Sequence, residues 1–488
     1  MKIIIFGTGS SAVRYVERNN EYFDNMEILA FADNNKKKWG NKLKGKKIIS
    51  PQDINKYNYD IILICSVYEE EIHNQIVSAI GVNSEKIYTQ KSFIQQIMFS
   101  WYDKKYDLYN KRILIVSETN GTDEEYRKYY GHYFELLYIV GVISLDELHL
   151  AENYDFDYIF IASFRAYIIQ NEDYMTNIVS LIRKNNKLVG STILSEFVIR
   201  AYFSKIMEFS YGNNYYGKKF LVLRMTDCFA GLGGISLIIA GSVSYAKKLG
   251  YIPIVDLKTH WTQYLEEGEY GKINAYEKFF KQPCGYSLDD IKNASSVSVL
   301  YMFSPNWYSK KEKNVMSLPK MKPEIYESYC TFIKKFENKK VLGVLFRGTD
   351  YANLKPYGHS IQPDLYEILE TVKEKISEWD GFDMIFLCTE VEEACKCFED
   401  EFGKDKVCYY PQQRYKSDTK EYLCNIKLVP GAHTEQGKAY WIALNCLASC
   451  HSIIAGQCGG TETAMVINNG NYHNSYLFDL GRHGINNI

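Results

Sequence analysis

Arg347 and Asp350 stand three residues apart where a continuous apolar run, Val341–Phe346, gives way to a polar loop that also carries Tyr351, Lys355 and His359. An arginine offers a planar fork of donors that grips a diphosphate through two parallel, charge-assisted bonds. Lys355 would add a second positive charge, and Asp350 and His359 are residue types that take a proton from an attacking hydroxyl. The plainer alternative is a loop in which Arg347 and Asp350 neutralise each other. A second candidate lies near the C-terminus, where Gly459, Gly460 and Thr461 lead into a helical stretch. Such a turn offers unpaired N–H groups and a hydroxyl to an anion. Thr389 and Glu390 close another apolar run that begins at Met384. Glu277, within the aromatic and acidic stretch from Asn274 to Pro283, reads either as a base beside a sugar-stacking surface or as part of an ordinary amphipathic helix. His433 reads either as a ligand contact or as a packed residue at a helix start.

These residues need a scaffold that brings distant strand ends together. Apolar runs that stop abruptly at polar or glycine residues suit a parallel sheet buried on both faces, whose strand C-termini share one edge. Val341–Phe346, Met384–Thr389, a strand starting at Val407, and Ser452–Gly456 fit that description. The reading places Arg347, Thr389, Glu390, Gly459, Gly460 and Thr461 around a common crevice. Upstream, a strand at Lys219–Arg224 leads through Asp227 to Gly231, Gly233 and Gly234, then into a helix and a strand ending at Asp256. Glycines there permit either close approach of a ligand or tight packing of a helix.

The front of the chain has its own glycine turn. Strand Lys2–Phe6 runs into Gly7, Gly9 and Ala12 in the G-x-G-x-x-A pattern, and a second strand, Ile28–Ala32, ends at Asp33. That spacing fits an accessory nucleotide site, and it equally fits a structural tight turn. The same grammar recurs about a hundred residues on: Arg112–Ser117 parallels Lys2–Phe6, and the strand from Asp157 to Ser163 parallels that from Asp60 to Ser66. The second copy lacks the glycine pattern, with Gly121 standing alone. The domain expectation is therefore two tandem Rossmann-like units, 1–106 and 107–210, followed by two further α/β halves, 218–335 and 336–488.

A net charge of −2 gives no pull toward nucleic acid, which is not expected as a partner. The 12 cysteines are scattered without metal-ligand spacing, so no metal is expected and a reducing cytoplasm is the simplest setting. No apolar stretch reaches the ~20 residues that span a bilayer. Leu194–Phe209 reads as an amphipathic helix, lying on a membrane surface or packed between domains.

The front unit resembles the small Rossmann-like domain of nucleoside-diphosphate-sugar epimerase-like and sugar acyltransferase proteins, on the residues from Ile4 to Ala12, Phe31 to Asn35 and Tyr59 to Ser66. Residues 219–486 resemble the GT-B glycosyltransferases of the fucosyltransferase superfamily. The matching pieces are Gly231–Gly234, Val344–Asp350 in place of a His-x-Arg-Arg-x-Asp motif, Phe386–Glu390 in place of an Ala-Thr-Asp strand end, Gly431–Lys438, and Ala455–Thr461. The resemblance implies a multidomain α/β protein whose tandem Rossmann-like units precede a GT-B pair, acceptor half first and donor half second. It further implies transfer of fucose or a related hexose from a nucleotide sugar, GDP-linked by analogy, to a bacterial surface glycan at the cytoplasmic side of the membrane, with no metal or other cofactor. By resemblance Arg347 would bind the donor diphosphate, Thr389 and Glu390 would flank the nucleoside and Gly459–Thr461 would hold phosphate. From residue chemistry, Gly233, Gly234, Lys355 and His433 are further donor-site candidates, Arg347, Asp350, His359 and Glu277 are the catalytic candidates, and two domains would close around the donor. Leu345, Gly348 and Glu390 depart from the family pattern and leave the sugar open. An NAD-linked nucleotide-sugar epimerase or dehydrogenase, and a non-catalytic nucleotide-binding scaffold, are the competing readings.

Overall fold

The longer apolar runs become buried parallel strands, as in β-strands Lys2–Phe6, Arg112–Ser117, Val341–Phe346 and Met384–Thr389. The computed structural model describes the chain apart from residues 10–11, 14, 17–22, 24–25, 67, 94–96, 98–105, 107, 109, 118–130, 132, 163–171, 186–187, 195, 204, 226–230, 303–317, 357–358 and 485–488. Gly121 and Asp227 lie outside the described residues. Contacts divide the chain into two bodies, 1–108 with 195–203, and 109–194 with 204–488.

The first body holds a six-stranded sheet in the order β3-β4-β2-β1-β5-β6. Its strands are β1 (Lys2–Phe6), β2 (Glu27–Ala32), β3 (Lys42–Leu43), β4 (Lys46–Ile49), β5 (Ile61–Ile64) and β6 (Ile87–Thr89), with helix α1 (Glu69–Gln75) after β5. All pairings are parallel except β3 with β4.

The second body carries three sheets. The first of these, order β10-β9-β7-β8, is wholly parallel and uses β7 (Arg112–Ser117), β8 (Tyr138–Ser144), β9 (Tyr158–Ala162) and β10 (Thr192–Leu194), with α2 (Glu172–Lys184). It repeats the plan of β2-β1-β5-β6 in detail. In β1 the register with β2 shifts between Ile3 and Ile4, and in β7 the register with β8 shifts between Ile113 and Leu114. The Asp60 carboxylate accepts the Lys2 N–H at 2.7 Å, and Asp157 accepts the Arg112 N–H at 2.9 Å. Each aspartate's own N–H bonds back to the carbonyl of Lys2 or Arg112. The expected internal repeat thus extends to matched irregularities and matched clasps.

The third sheet, order β11-β14-β12-β13, uses β11 (Met207–Phe209), β12 (Phe220–Met225), β13 (Ile252–Val255) and β14 (Val297–Met302), with α3 (Leu232–Lys248). Here the expected helix Leu194–Phe209 differs: its helical part is Glu196–Phe203, and β11 pairs antiparallel with β14. The Glu208 carboxylate accepts the Ser296 and Ser298 hydroxyls, so cross-strand partners override local helical pattern. Arg224 at the end of β12 bridges Asp256 (3.0 Å) and Glu135 (2.8 Å), tying the second and third sheets.

The fourth sheet is parallel throughout, order β17-β16-β15-β18-β19. Its strands are β15 (Val341–Phe346), β16 (Met384–Thr389), β17 (Val407–Cys408), β18 (Ser452–Gly456) and β19 (Asn474–Phe478). Its helices are α4 (Pro323–Ile333), α5 (Asp350–Leu354), α6 (Leu365–Glu378), α7 (Glu392–Phe402), α8 (Ala432–Ala448) and α9 (Gly459–Ile467). Alternation along β15 sends Leu342, Val344 and Phe346 to the layer under α6 and α7, and Val341 and Leu345 to the opposite core. Burial on both faces explains the uninterrupted apolar run. That opposite core also contains Leu221, Leu223 and Ile238, so the third and fourth sheets share one hydrophobic interior. Phe280 meets Trp441 edge-on there, at 4.9 Å between ring centres. No helix among the described residues is long and apolar enough to cross a membrane.

Candidate functional site

Chain order in the fourth sheet reverses beside β15: β16 lies on one side of it and β18 on the other. Helices that leave the two neighbours on opposite faces open a crevice at their C-terminal ends, the switch point where α/β sheets bind ligands. Arg347 follows β15, and the Gly459–Thr461 turn follows β18.

The Arg347 loop is tied down by its neighbours. A side chain at Gly348 would stand 2.6 Å from the Phe346 ring and 3.2 Å from Val391, so nothing larger than glycine fits. The Gly348 N–H and the Thr349 hydroxyl both donate to Glu390 Oε1, at 3.2 and 3.0 Å, which joins the ends of β15 and β16. Asp350 is buried and accepts from Arg347 Nη2 (3.1 Å), the Tyr351 N–H (2.9 Å) and the Leu423 N–H (3.4 Å). The ion pair of the plainer reading is therefore present. It occupies one edge of the guanidinium only, because Nε is buried with no hydrogen-bond partner among the described residues. The guanidinium lies 4.0 Å from the Tyr351 ring centre, and the His359 ring meets the same tyrosine at 4.8 Å.

The charges are unequal in their environments. Burial disfavours the Arg347 cation, but Asp350, Tyr351 and Glu390 outweigh it and hold the group protonated well beyond the ordinary arginine range. Burial pushes Glu390 up, with Arg347 pulling the other way. Burial and the Arg347 charge push His359 below the usual imidazole value, so its ring is neutral near pH 7 and able to accept a proton.

Across the crevice, the glycines serve a crossing. A Cβ at Gly233 would stand 2.9 Å from Thr463 Oγ1, 3.2 Å from the Gly459 carbonyl and 3.3 Å from the Tyr440 hydroxyl. A Cβ at Gly459 would come within 3.7 Å of the Gly234 nitrogen. The N-termini of α3 and α9 thus press together beside the strand ends. Thr461 donates its hydroxyl to the Gly456 carbonyl, which anchors the turn to β18.

The other expected residues have these surroundings. Thr389 is buried, its hydroxyl accepts the Val391 N–H (3.1 Å), and its carbonyl accepts Gln412 Nε2 (2.6 Å). Lys355 is exposed in a left-handed helix-ending position, φ 47°. His433 bonds through Nδ1 to the Gln263 carbonyl at 2.8 Å, a packing contact at the start of α8. Glu277 accepts Gln282 Nε2 (2.7 Å) alongside β13 and has no bond to the Arg347 group. Sequence reasoning passed over Glu266, whose carboxylate accepts the Gly431 N–H, the Thr434 N–H and the Thr434 hydroxyl at 2.8–2.9 Å. It caps α8 from the third sheet's side, and a cap so far away in sequence leaves no local signal. Tyr351 was visible as an aromatic in a charged loop, and Tyr440 only as one residue of an apolar helix.

In the first body, Gly7 has φ +114°, and a Cβ there would lie 2.5 Å from the Cys65 carbonyl. The Gly9 carbonyl accepts the Ala12 N–H at 3.0 Å, opening the helix with Ala12 fully buried. Asp33 accepts the Thr8 hydroxyl, the Asn35 N–H (2.8 Å) and Lys38 Nζ (3.3 Å). Burial would raise its pKa, but these partners together hold it below the usual carboxylate value. In the second copy the position after the matched strand core is Ser117, which stays in the strand paired with Ser144.

Fold and site together define a multidomain α/β protein with Arg347 and a glycine turn at a sheet switch point. Residues 1–88, the span of the first sheet, match the family described as C2185-like, N-terminal. A comparison with curated proteins found no match. Among solved structures, the chain is similar to NodZ α-1,6-fucosyltransferase co-crystallised with GDP, at 14% identity and a TM-score of 0.36 over 51% of this chain and 92% of that one. It is similar to fucosyltransferase NodZ from Bradyrhizobium at 15% identity and a TM-score of 0.34, over 51% and 93%. It is also similar to POFUT1 in complex with GDP at 10% identity and a TM-score of 0.34, over 55% and 99%. Likeness at this level assigns no activity to this chain.

Proposed function

We propose that the chain is a glycosyltransferase that takes its sugar from a nucleoside-diphosphate donor, GDP-linked, bound at the crevice between β15 and β18. The observation that carries this reading is the placement of Arg347, with a buried unpartnered Nε, and the Gly459–Thr461 turn on the two strands that flank the switch point. Breaking the bond between the sugar and the diphosphate leaves negative charge on the leaving group. Arg347, held cationic by its neighbours, and the N-terminal dipole of α9 oppose that charge without calling on a metal. The acceptor hydroxyl attacks the sugar carbon and gives its proton to His359, which is uncharged near pH 7. Asp350, held by the Tyr351 and Leu423 N–H groups, positions Arg347. Fucose or a related hexose as the sugar, a bacterial surface glycan as acceptor, and work at the cytoplasmic side of the membrane complete the proposal.

For the first body, the bonds of Asp33 support a structural turn. A dinucleotide there would have to take Asp33 from Thr8, Asn35 and Lys38.

The test is a thermal-shift panel of GDP-, UDP-, dTDP- and CDP-sugars on the full chain and on Arg347→Ala. A GDP-sugar should raise the melting temperature of the wild type and not of the variant, because a ligand of the folded state stabilises it by mass action. An Arg347→Ala protein that is stabilised as strongly as the wild type would sink the assignment.

A further inference from the structure

A cleft of about 400 Å³ opens between the loop after β17, the start of α4 and the first half of α8. Its walls carry Tyr410, Gln412, Gln436, Glu324, Glu435 and Lys438. Lys438 is the only cation among the lining residues, and its Nζ is already 2.7 Å from Glu435 Oε1. Glu324 is paired in turn with Lys322, at 3.8 Å, so the lining offers no uncommitted cation to hold a phosphate or another anion. The lining also holds one tyrosine, the apolar residues Ile325, Ala439 and Ile442, and the amides of Gln412, Gln413 and Gln436.

That composition matches a neutral polyhydroxylated ligand. A sugar presents C–H faces to a ring and hydroxyls, each both donor and acceptor, to amide and carboxylate groups. The groups are also set in advance. The Tyr410 ring is braced edge-on by Phe332, at 5.1 Å between centres. Gln412 Nε2 donates to the Thr389 carbonyl (2.6 Å), and Gln436 Nε2 donates to the Tyr415 hydroxyl (2.9 Å). Both anchors lead to the Arg347 loop. Thr389 immediately precedes Glu390, and the Tyr415 N–H bonds to the Glu390 carbonyl at 2.8 Å. Glu390 in turn holds Gly348 and Thr349.

We infer that this cleft binds a neutral saccharide segment of the acceptor, beside the donor crevice and on the same strand-end edge. The inference rests on the glycosyltransferase reading for the word acceptor, but not for saccharide binding itself.

The full-length protein is to be screened on an array of neutral and anionic oligosaccharides, and the strongest hit titrated by calorimetry, with GDP titrated separately. A neutral oligosaccharide should bind, and Glu324→Ala and Gln436→Ala should each weaken it by about tenfold, with GDP affinity unchanged in Glu324→Ala. Glu324 is exposed, so its loss leaves the fold intact and keeps the test sound. The inference is overturned if only anionic oligosaccharides bind, if none binds, or if both variants bind as the wild type does. GDP binding that is sensitive to Arg347 alongside any of those results would leave the donor reading standing. Saccharide binding lost in the variants, with no nucleotide bound by the wild type, would keep the cleft and remove the donor reading.

Discussion

Gly233 and Thr463 meet where the N-termini of α3 and α9 cross, so closely that a methyl on the glycine would stand 2.9 Å from the threonine hydroxyl. The Gly459 carbonyl and the Tyr440 hydroxyl close the same space from two other sides. Gly233→Ala should therefore destabilise the second body by about 1–3 kcal/mol, the usual cost of overpacking. Gly231→Ala, which meets nothing within 4 Å, should be near neutral by comparison. Urea unfolding of both variants checks this; equal stabilities would remove the crossing as the reason for the glycine.

The His359 imidazole should titrate below 6.5 in the folded protein, because burial and the Arg347 charge both oppose protonation. Arg347→Ala removes one of those causes, so the midpoint should move up. Proton NMR of the imidazole reads both values, and a midpoint unmoved by the substitution would separate the two residues.

Glu266 should act as a pH-dependent cap. Burial raises its pKa, but the Thr434 and Gly431 N–H groups and the Thr434 hydroxyl outweigh that and leave it depressed below 4.5. A depressed carboxylate adds stability that is present above the unfolded value and lost as pH falls through the folded one. Glu266→Gln should thus cost about 1 kcal/mol at pH 7, as a lost helix cap does, and the gap to wild type should close in acid. A gap of the same size at pH 7 and in acid would contradict the assignment.

Gly7→Ala should destabilise the first body by about 2 kcal/mol or more, since it combines a left-handed φ with a clash against backbone. The Cys65 carbonyl, 2.5 Å from the added carbon, cannot rotate away. Loss of cooperative melting for that body, followed by fluorescence, is the expected observation. An alanine variant as stable as wild type would show that the turn is free to rearrange.

Strand ends were legible because β15, β16 and β18 are buried along their whole length and must therefore be apolar without interruption. The repeat was legible because Asp60 and Asp157 perform the same backbone clasp. Glycine function was not. Gly233 and Gly459 read equally as phosphate turns or as a helix crossing, and the crossing shows only in their distant partners Thr463 and Gly234. The partners of Glu277 and His433 were equally illegible: residue type suggests chemistry, but Gln282 and the Gln263 carbonyl lie on other segments of the chain.

The core that runs beneath both the third and fourth sheets, with Phe280 seated on Trp441, has a thermodynamic consequence. Packing on one side of that seam cannot be lost without exposing the other, so β12 and β15 should surrender their amide protons to deuterium in a single opening event. A ligand held by Arg347 would then slow exchange in strands that it never touches.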